Sequence, residues 1–204
     1  TGRPYRMAEK FYRQLQLDTP MINFNGSLTH IPGKQWDFEQ KILIDKQYLI
    51  DFLDNEKSFE AIFIAGEYKN KFFITQDNLD EIYPSLMGVE KITPDTLIRR
   101  ERITSDPHSI LMHTRAEDRY SLADEMKKHF KYELEINTWG DPLNILQTCA
   151  KGVSKATALS YLLDHYKASP EDLIAFGDEH NDVEMLQLAG TGYAMKNASD
   201  KLIP

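Results

Sequence analysis

The sequence predicts an α/β protein in which two outer segments share one parallel, doubly wound sheet, interrupted by a mixed α/β module. Three observations carry this expectation. After Cys149 a helical stripe, a continuous apolar run, a second helical stripe and a short strand follow one another, which is the rhythm of parallel strands joined by crossover helices. Near the start of the chain a helical pattern is followed by a short strand and a turn, elements that suit the same sheet. Between them, from about residue 28 to 147, strands and helices alternate with hairpin-like spacing, a different texture that marks an inserted unit.

The elements follow in order. Thr1-Gly2-Arg3-Pro4 places a hydroxyl and a proline where a helix would begin, and Met7, Ala8, Phe11, Tyr12 and Leu15 recur at helical spacing, so one face of that helix is expected to be buried. Pro20 ends it. Met21-Ile22-Asn23-Phe24 reads as a short strand halted by Asn25-Gly26, a strong turn dipeptide. In the middle unit Ile44, Tyr48, Leu49, Phe52 and Leu53 predict a helix. Ala61 to Ala65 and Phe72 to Ile74 predict paired strands, and Ser109 to Met112 another. A further helix carries Leu122, Ala123, Met126 and Phe130 on one side; Tyr132, Leu134, Ile136 and Thr138 then alternate as a strand, and Gly140-Asp141-Pro142 reads as a turn.

Past Cys149, the stripe Val153, Leu159, Leu162, Leu163 and Tyr166 is broken by Ser169-Pro170. The run Leu173-Ile174-Ala175-Phe176 is expected to be a strand buried on both faces. Gly177-Asp178 ends it. Val183, Met185, Leu186 and Ala189 build the next helix, closed by Gly190, and Gly192 to Met195 offers a last strand.

Composition excludes several classes. Across 204 residues, 41% hydrophobic and 27% charged residues are the balance of a folded globular chain rather than a disordered one. Lys plus Arg number 24 against 32 for Asp plus Glu, a net charge of −8, which would repel phosphate backbones and anionic lipid, so nucleic acid and membrane are not expected as partners. No apolar run is long enough to span a bilayer, and the single Cys149 can form neither an internal disulfide nor a thiolate cluster; a reducing cytoplasm is the expected setting. Thr1 in place of Met, and a terminus at Lys201-Leu202-Ile203-Pro204 without a closing element, read as processing or a cloned fragment.

Ligands of an open parallel sheet bind beyond the carboxyl ends of its strands. The polar residues fall there. Asp178 follows the apolar strand and Asp182 opens the next helix, so that both can converge on one point with Asn181 between them. Two hard oxygen donors suit Mg²⁺, which keeps several waters and shares its remaining positions with phosphate. Helix capping accounts for the same acidic residues without a metal. Lys155 lies in the first turn of its helix, where the dipole disfavours a cation; it is either a phosphate-holding ammonium or one more solvated lysine beside Lys151. Thr1-Gly2 makes either a small anion cradle or a plain N-cap. His180, His108 and His113 show no metal-ligand spacing, Arg99 to Arg102 read as an exposed face, and Trp36 and Trp139 as packing. Neither a Ser-centred nucleophile elbow nor a phosphate-binding loop spacing is found.

Taken together, Thr1-Gly2-Arg3-Pro4, Asn25-Gly26, Gly152-Val153-Ser154-Lys155, Gly177 to Asp182 and Ala194 to Ala198 resemble, in order and spacing, the Cof-type phosphatases of the haloacid dehalogenase superfamily. The stretch from Asp172 to Asp200 is the closest. The resemblance implies a Rossmann-like core, incomplete at its N-terminus, made of residues 1–27 and 148–204, with residues 28–147 as an inserted α/β cap. By the same resemblance Thr1 and Gly2 bind phosphate, Lys155 orients it, Asp178 is a magnesium ligand, Asp182 supports metal and lysine, and Asn181 contacts phosphate. Lys155 and Asp178 are then the catalytic residues of this chain, and Asp178 and Asp182 its metal residues. The implied reaction is Mg²⁺-dependent hydrolysis of a small phosphorylated metabolite, a sugar or nucleotide-type phosphate, through an aspartyl-phosphate. The family's nucleophile belongs to an Asp-x-Asp strand preceding the threonine, and no residue here takes that role, so the chain by itself is expected to be inactive. Ala156 and Lys196 stand where the family usually has Gly. The competing readings are a non-catalytic phosphate- and metal-binding protein and a phosphomutase on the same fold.

Overall fold

The computed structural model describes residues 1–76, 82–139, 143–199 and 202, with 82 and 83 as backbone alone; the expected turn at Gly140-Asp141-Pro142 lies outside the described residues, as does Asp200. The first helix, α1 (Tyr5–Gln14), starts after Pro4 in extended conformation. Three short antiparallel strands follow: β1 (Met21–Asn23), β2 (Leu28–His30) and β3 (Gln40–Lys41). Next come α2 (Lys46–Asp54), β4 (Ala61–Glu67), β5 (Phe72–Ile74), α3 (Ile82–Leu86), β6 (Ser109–Thr114), α4 (Arg119–His129), β7 (Leu134–Thr138) and β8 (Ile145–Ala150). These strands form one antiparallel sheet in the order β5-β4-β6-β8-β7. The chain continues through α5 (Lys155–Tyr166), β9 (Ile174–Gly177), α6 (Val183–Leu188) and β10 (Thr191–Ala194). The parallel pairing expected of the outer segments is present between β9 and β10, with α6 as the crossover. Hydrogen bonding joins β2 and β3 to β1 and carries the five-stranded sheet through Ala150.

Period-2 alternation sorts the side chains of that sheet into two apolar clusters. Ile64, Ile110, Met112, Ile136 and Leu146 face α2 and α4, where Leu49, Phe52, Met126 and Phe130 complete the packing; Phe52 and Phe130 stack at 5.0 Å. On the other face Phe63, Ala65, Leu111 and Ile145 meet Phe72, Ile74 and Met87. Each fully buried side chain of this size contributes about 1.5–3 kcal/mol. A buried ion pair ties α1 to this second face: the Arg6 guanidinium bonds both oxygens of Glu67, at 2.7 and 2.8 Å. Burial pushes the Glu67 carboxyl up, and Arg6 offsets the effect.

Three expectations need correction. The strand at Met21–Asn23 does not share a sheet with β9 and β10: the chain reverses through Phe24–Gly26, so that β2 returns antiparallel beside β1 in a separate three-stranded sheet. The run around Ile174 is not buried on both faces: Ile174 and Phe176 are each 61% exposed while Ala175 and Gly177 are buried, because α6 covers one side, and on the other Phe176 stacks on the exposed Tyr193. In α1 the apolar stripe is only partly covered. Tyr12 is buried, but Phe11 and Leu15 are exposed. Periodicity identifies an apolar face and does not say what lies against it. Among the described residues no helix is long and apolar enough to cross a membrane.

Two buried histidines flank the turn after β1. His30 bonds Asn23 Oδ1 at 3.0 Å, and His108 lies flat on Phe24 with Nδ1 at 3.0 Å from Ser27 Oγ. Burial, helped by the charge of Lys69, lowers His30 to about 4; burial likewise lowers His108 to about 4, against the Ser27 hydrogen bond. Both rings are thus neutral when folded, while the unfolded chain takes up protons below its ordinary value near 6.5. The unfolded state then binds more protons, so stability is complete above about pH 6.5 and falls as pH drops toward 4. The contribution is on the order of 3 kcal/mol for each ring. Melting temperature should decline steadily over this window, and the two imidazole NMR resonances should not titrate above about pH 5; titration near 6.5 contradicts the assignment.

Candidate active site

The loop from Thr1 to Arg3 is pinned beside the turn that follows β1. Asn25 N–H donates to the Thr1 carbonyl at 3.0 Å, Phe24 N–H to the Arg3 carbonyl at 3.4 Å, and Asn23 Nδ2 to that same carbonyl at 2.9 Å. Thr1 is not the helix cap. Pro4 occupies that position, and Thr1 Oγ1 instead accepts the Arg3 N–H at 3.2 Å, leaving its hydroxyl proton for a ligand. Gly26 allows the approach of α5: at φ +117 it adopts a conformation disfavoured for L-residues, and a Cβ there would lie 2.4 Å from the Ser154 carbonyl oxygen.

Ser154 caps α5 in a reciprocal box with Thr157, which fixes Lys155 as the first helical residue. Its unfavourable place at the positive helix end is explained by its partners. Lys155 Nζ donates to Asp182 Oδ1 at 2.6 Å and Asn181 Oδ1 at 3.2 Å, using two of its three N–H donors. The side chains of Lys155 and Asp182 retain 13% and 6% exposure, so the ion pair is largely desolvated. The other oxygen of Asp182 accepts the backbone N–H groups of Asp178 and Glu179, both at 3.3 Å. That tight loop requires Gly177, where a Cβ would sit 2.4 Å from Asp182 Cβ. Asp178 is different: its side chain is exposed, and among the described residues its carboxylate is held by Asn197 Nδ2, at 3.2 Å from Oδ2.

All six residues singled out from the sequence, Thr1, Gly2, Lys155, Asp178, Asn181 and Asp182, line one cleft of about 300 Å³, together with Thr138 and Gln147 from the five-stranded sheet and Trp139 just after β7. His180 lines it too. Asp182 holds the lysine and the loop with both oxygens, while Asp178 presents its carboxylate to solvent. Among the described residues no group of three or more His, Cys, Asp or Glu is arranged to hold a metal, so a cation here would rest on one or two carboxylates with water and ligand oxygens completing its shell. Cys149 is no nucleophile. It is buried, its Sγ donates to the Phe24 carbonyl at 3.5 Å, and burial pushes its thiol up to about 12.

Three contributors escaped the sequence reading. The sequence marks Asn25 as part of a turn and Trp139 as packing and does not single out Gln147; in the structure Gln147 Oε1 accepts from both, Trp139 and Gln147 lining the cleft and Asn25 lying beside it. The remaining candidates lie elsewhere or serve packing. His113 sits in β6 against Phe63, Trp36 packs on Phe38 and His165, and Arg100 pairs with Asp54 on the surface.

The chain as a whole is similar to proteins already known. The sequence profile described as haloacid dehalogenase-like hydrolase matches residues 1–204. The 5-amino-6-(5-phospho-D-ribitylamino)uracil phosphatase YitU of Bacillus subtilis is 30% identical over 200 residues, covering 98% of this chain and 73% of its own length. The pyridoxal phosphate phosphatase YbhA of Escherichia coli is 25% identical over 215 residues, covering 98% of this chain and 75% of its own. A haloacid dehalogenase-like hydrolase from Bacteroides thetaiotaomicron superposes with a TM-score of 0.79 at 19% identity, over 98% of this chain and 75% of that one.

Proposed function

Since this chain belongs to the haloacid dehalogenase-like hydrolases and is a phosphatase of their Cof type, we propose that it hydrolyses small phosphorylated metabolites with Mg²⁺ at the cleft between Thr1 and Asp178. The observation that carries this reading is the convergence of Lys155, Asp178, Asn181, Asp182 and the Thr1-Gly2 loop on one cavity. The donor set fits the ion: Asp178 offers an exposed hard oxygen, and Mg²⁺ needs few protein ligands because it keeps waters and takes phosphate oxygens. When bound, the ion neutralises charge on the phosphoryl oxygens. Asp178 is its direct ligand in this proposal. Asp182 contributes by holding Lys155 and the 178–179 loop.

The other residues have separate tasks. The third N–H of Lys155, the free amide N–H of Asn181, the Thr1 hydroxyl and the Gly2 backbone receive the phosphoryl oxygens and orient the phosphorus. In the proposed reaction a carboxylate forms a bond to phosphorus as the bond to the leaving alkoxide breaks, the alkoxide departs with a proton, and water then cleaves the aspartyl-phosphate to release inorganic phosphate. The attacking aspartate is assigned to no residue of this sequence. In the same reading residues 28–147 form the cap and 1–27 with 148–204 the core. Substrates are sugar or nucleotide-type phosphates; that the two named relatives act on phosphate esters of small molecules supports this class. A cytoplasmic setting suits the single, buried Cys149.

The test uses the protein expressed from its natural reading frame, with release of phosphate from an aryl phosphate measured in Mg²⁺ and in chelator. Turnover should require the metal and transfer to water. Turnover insensitive to chelator, or transfer only to a sugar hydroxyl, would contradict the proposal.

A further inference from the structure

Gln147 lies on β8, 3% exposed, where the five-stranded sheet meets the Thr1–Arg3 loop. All of its hydrogen-bonding capacity is engaged. Oε1 accepts Asn25 Nδ2–H at 2.9 Å and Trp139 Nε1–H at 3.1 Å, while Nε2 donates to the Gly2 carbonyl at 3.1 Å and Ser109 Oγ at 3.3 Å. Asn25, held in the left-handed region at φ 56, turns its Oδ1 to Asn181 Nδ2 at 3.1 Å. Asn181 Oδ1 in turn accepts from Lys155 Nζ. Three carboxamides therefore run in sequence from the sheet to the ammonium.

The direction of this chain is fixed by its first member. With two donors on its oxygen, Gln147 must present N–H to Gly2; Asn25 must then turn N–H toward Gln147 and oxygen toward Asn181; Asn181 must turn oxygen toward Lys155. Reversing Gln147 or Asn25, both buried, sets like against like and leaves polar groups unsatisfied, and reversing the half-buried Asn181 sets oxygen against oxygen at Asn25 and N–H against N–H at Lys155, or breaks both bonds. Gln147 has no donor or acceptor left for a ligand, although it lines the cleft. Its influence must pass through its partners.

We infer that Gln147 is a positioning residue: through Asn25 and Asn181 it sets where the Lys155 ammonium stands, and through the Gly2 carbonyl it sets the phosphate loop, so that both respond to the seating of the five-stranded sheet. This rests on the phosphatase reading of Lys155 given above. It assigns to a buried amide of the inserted module a part in arranging groups of the other segments. Asn25 at the far side of a turn, and Gln147 122 residues away, become one device.

The experiment is a double-mutant cycle in the protein from its natural reading frame, using an aryl phosphate with Mg²⁺ and reading kcat, KM and melting temperature. Gln147→Leu should lower kcat roughly 10- to 100-fold, the usual effect of losing an outer partner of a reacting group, with KM changed less than about threefold. Gln147→Glu matches the shape but sets an oxygen against the Gly2 carbonyl, and should not restore kcat. In an Asn181→Ala background Gln147→Leu should cost less than it does in the wild type, since that background has already cut the route through Asn25 and leaves the one through the Gly2 carbonyl. Unchanged kcat well below the melting temperature, a loss in KM alone, restoration by Glu, or multiplicative effects of the two substitutions would overturn the inference while leaving the phosphatase reading intact. A wild type without Mg²⁺-dependent turnover would overturn both.

Discussion

Replacing Lys155 with Ala is expected to lower kcat for phosphate-ester hydrolysis by about 10²–10³, the range found when one preorganised donor to developing negative charge is removed. The reason is geometric. Two of the ammonium's N–H groups are anchored on Asp182 and Asn181, so the third is held in the cleft before substrate arrives. Lys155→Arg should not restore the rate, because a planar fork cannot occupy a point-charge site already bounded by those two oxygens. Initial rates measured well below the melting temperature separate this loss from instability. A variant retaining more than about a third of wild-type kcat would contradict the role given to Lys155.

The second large effect separates the two acidic residues that sequence spacing treats alike. Asp182→Ala removes one member of a desolvated pair and leaves the Lys155 charge buried, a change that typically costs about 3–5 kcal/mol. It also releases the backbone N–H groups of Asp178 and Glu179. Melting temperature should fall by roughly 10 °C, given the usual 2–4 °C per kcal/mol for a chain of this size, and turnover should fall with it. The Asp178 side chain supports nothing of the kind: it is exposed, and its carboxylate accepts from Asn197 Nδ2. Asp178→Asn should leave the melting temperature within about 1 °C of wild type, as ordinary surface substitutions do. Equal destabilisation by the two substitutions would contradict the division of labour.

Much of the site was legible because its residues lie at strand ends and helix starts, where polar groups stand out from an apolar pattern. Lys155 announced itself as a cation at the wrong helix end, and its explanation, Asp182, lies 27 residues on. The spacing of Asp178 and Asp182 showed that they could share a loop, but not that one is exposed and the other saturated by backbone N–H groups. Gln147 and Trp139 carry no local signal, and Asn25 shows in the sequence as part of the Asn25-Gly26 turn, with nothing to mark its side chain as a link to the sheet. Only tertiary structure joins them. The same limit applies to the fold: the apolar runs at β4 and β6 and the alternation at β7 predict strands where strands are found, whereas the exposed Ile174, Phe176, Phe11 and Leu15 show that an apolar pattern does not reveal what covers it. The pair Arg6–Glu67 joins residues 61 positions apart and was equally invisible.

The most direct test of the account is a calorimetric titration of Mg²⁺, with inorganic phosphate present, into the wild-type protein and Asp178→Asn. If Asp178 is the ion's direct ligand, the wild type binds one Mg²⁺ and the variant binds at least about tenfold more weakly while melting at the same temperature. Equal affinity in the two proteins would mean that the exposed carboxylate after β9 does not hold the ion, and the proposed site would be wrong.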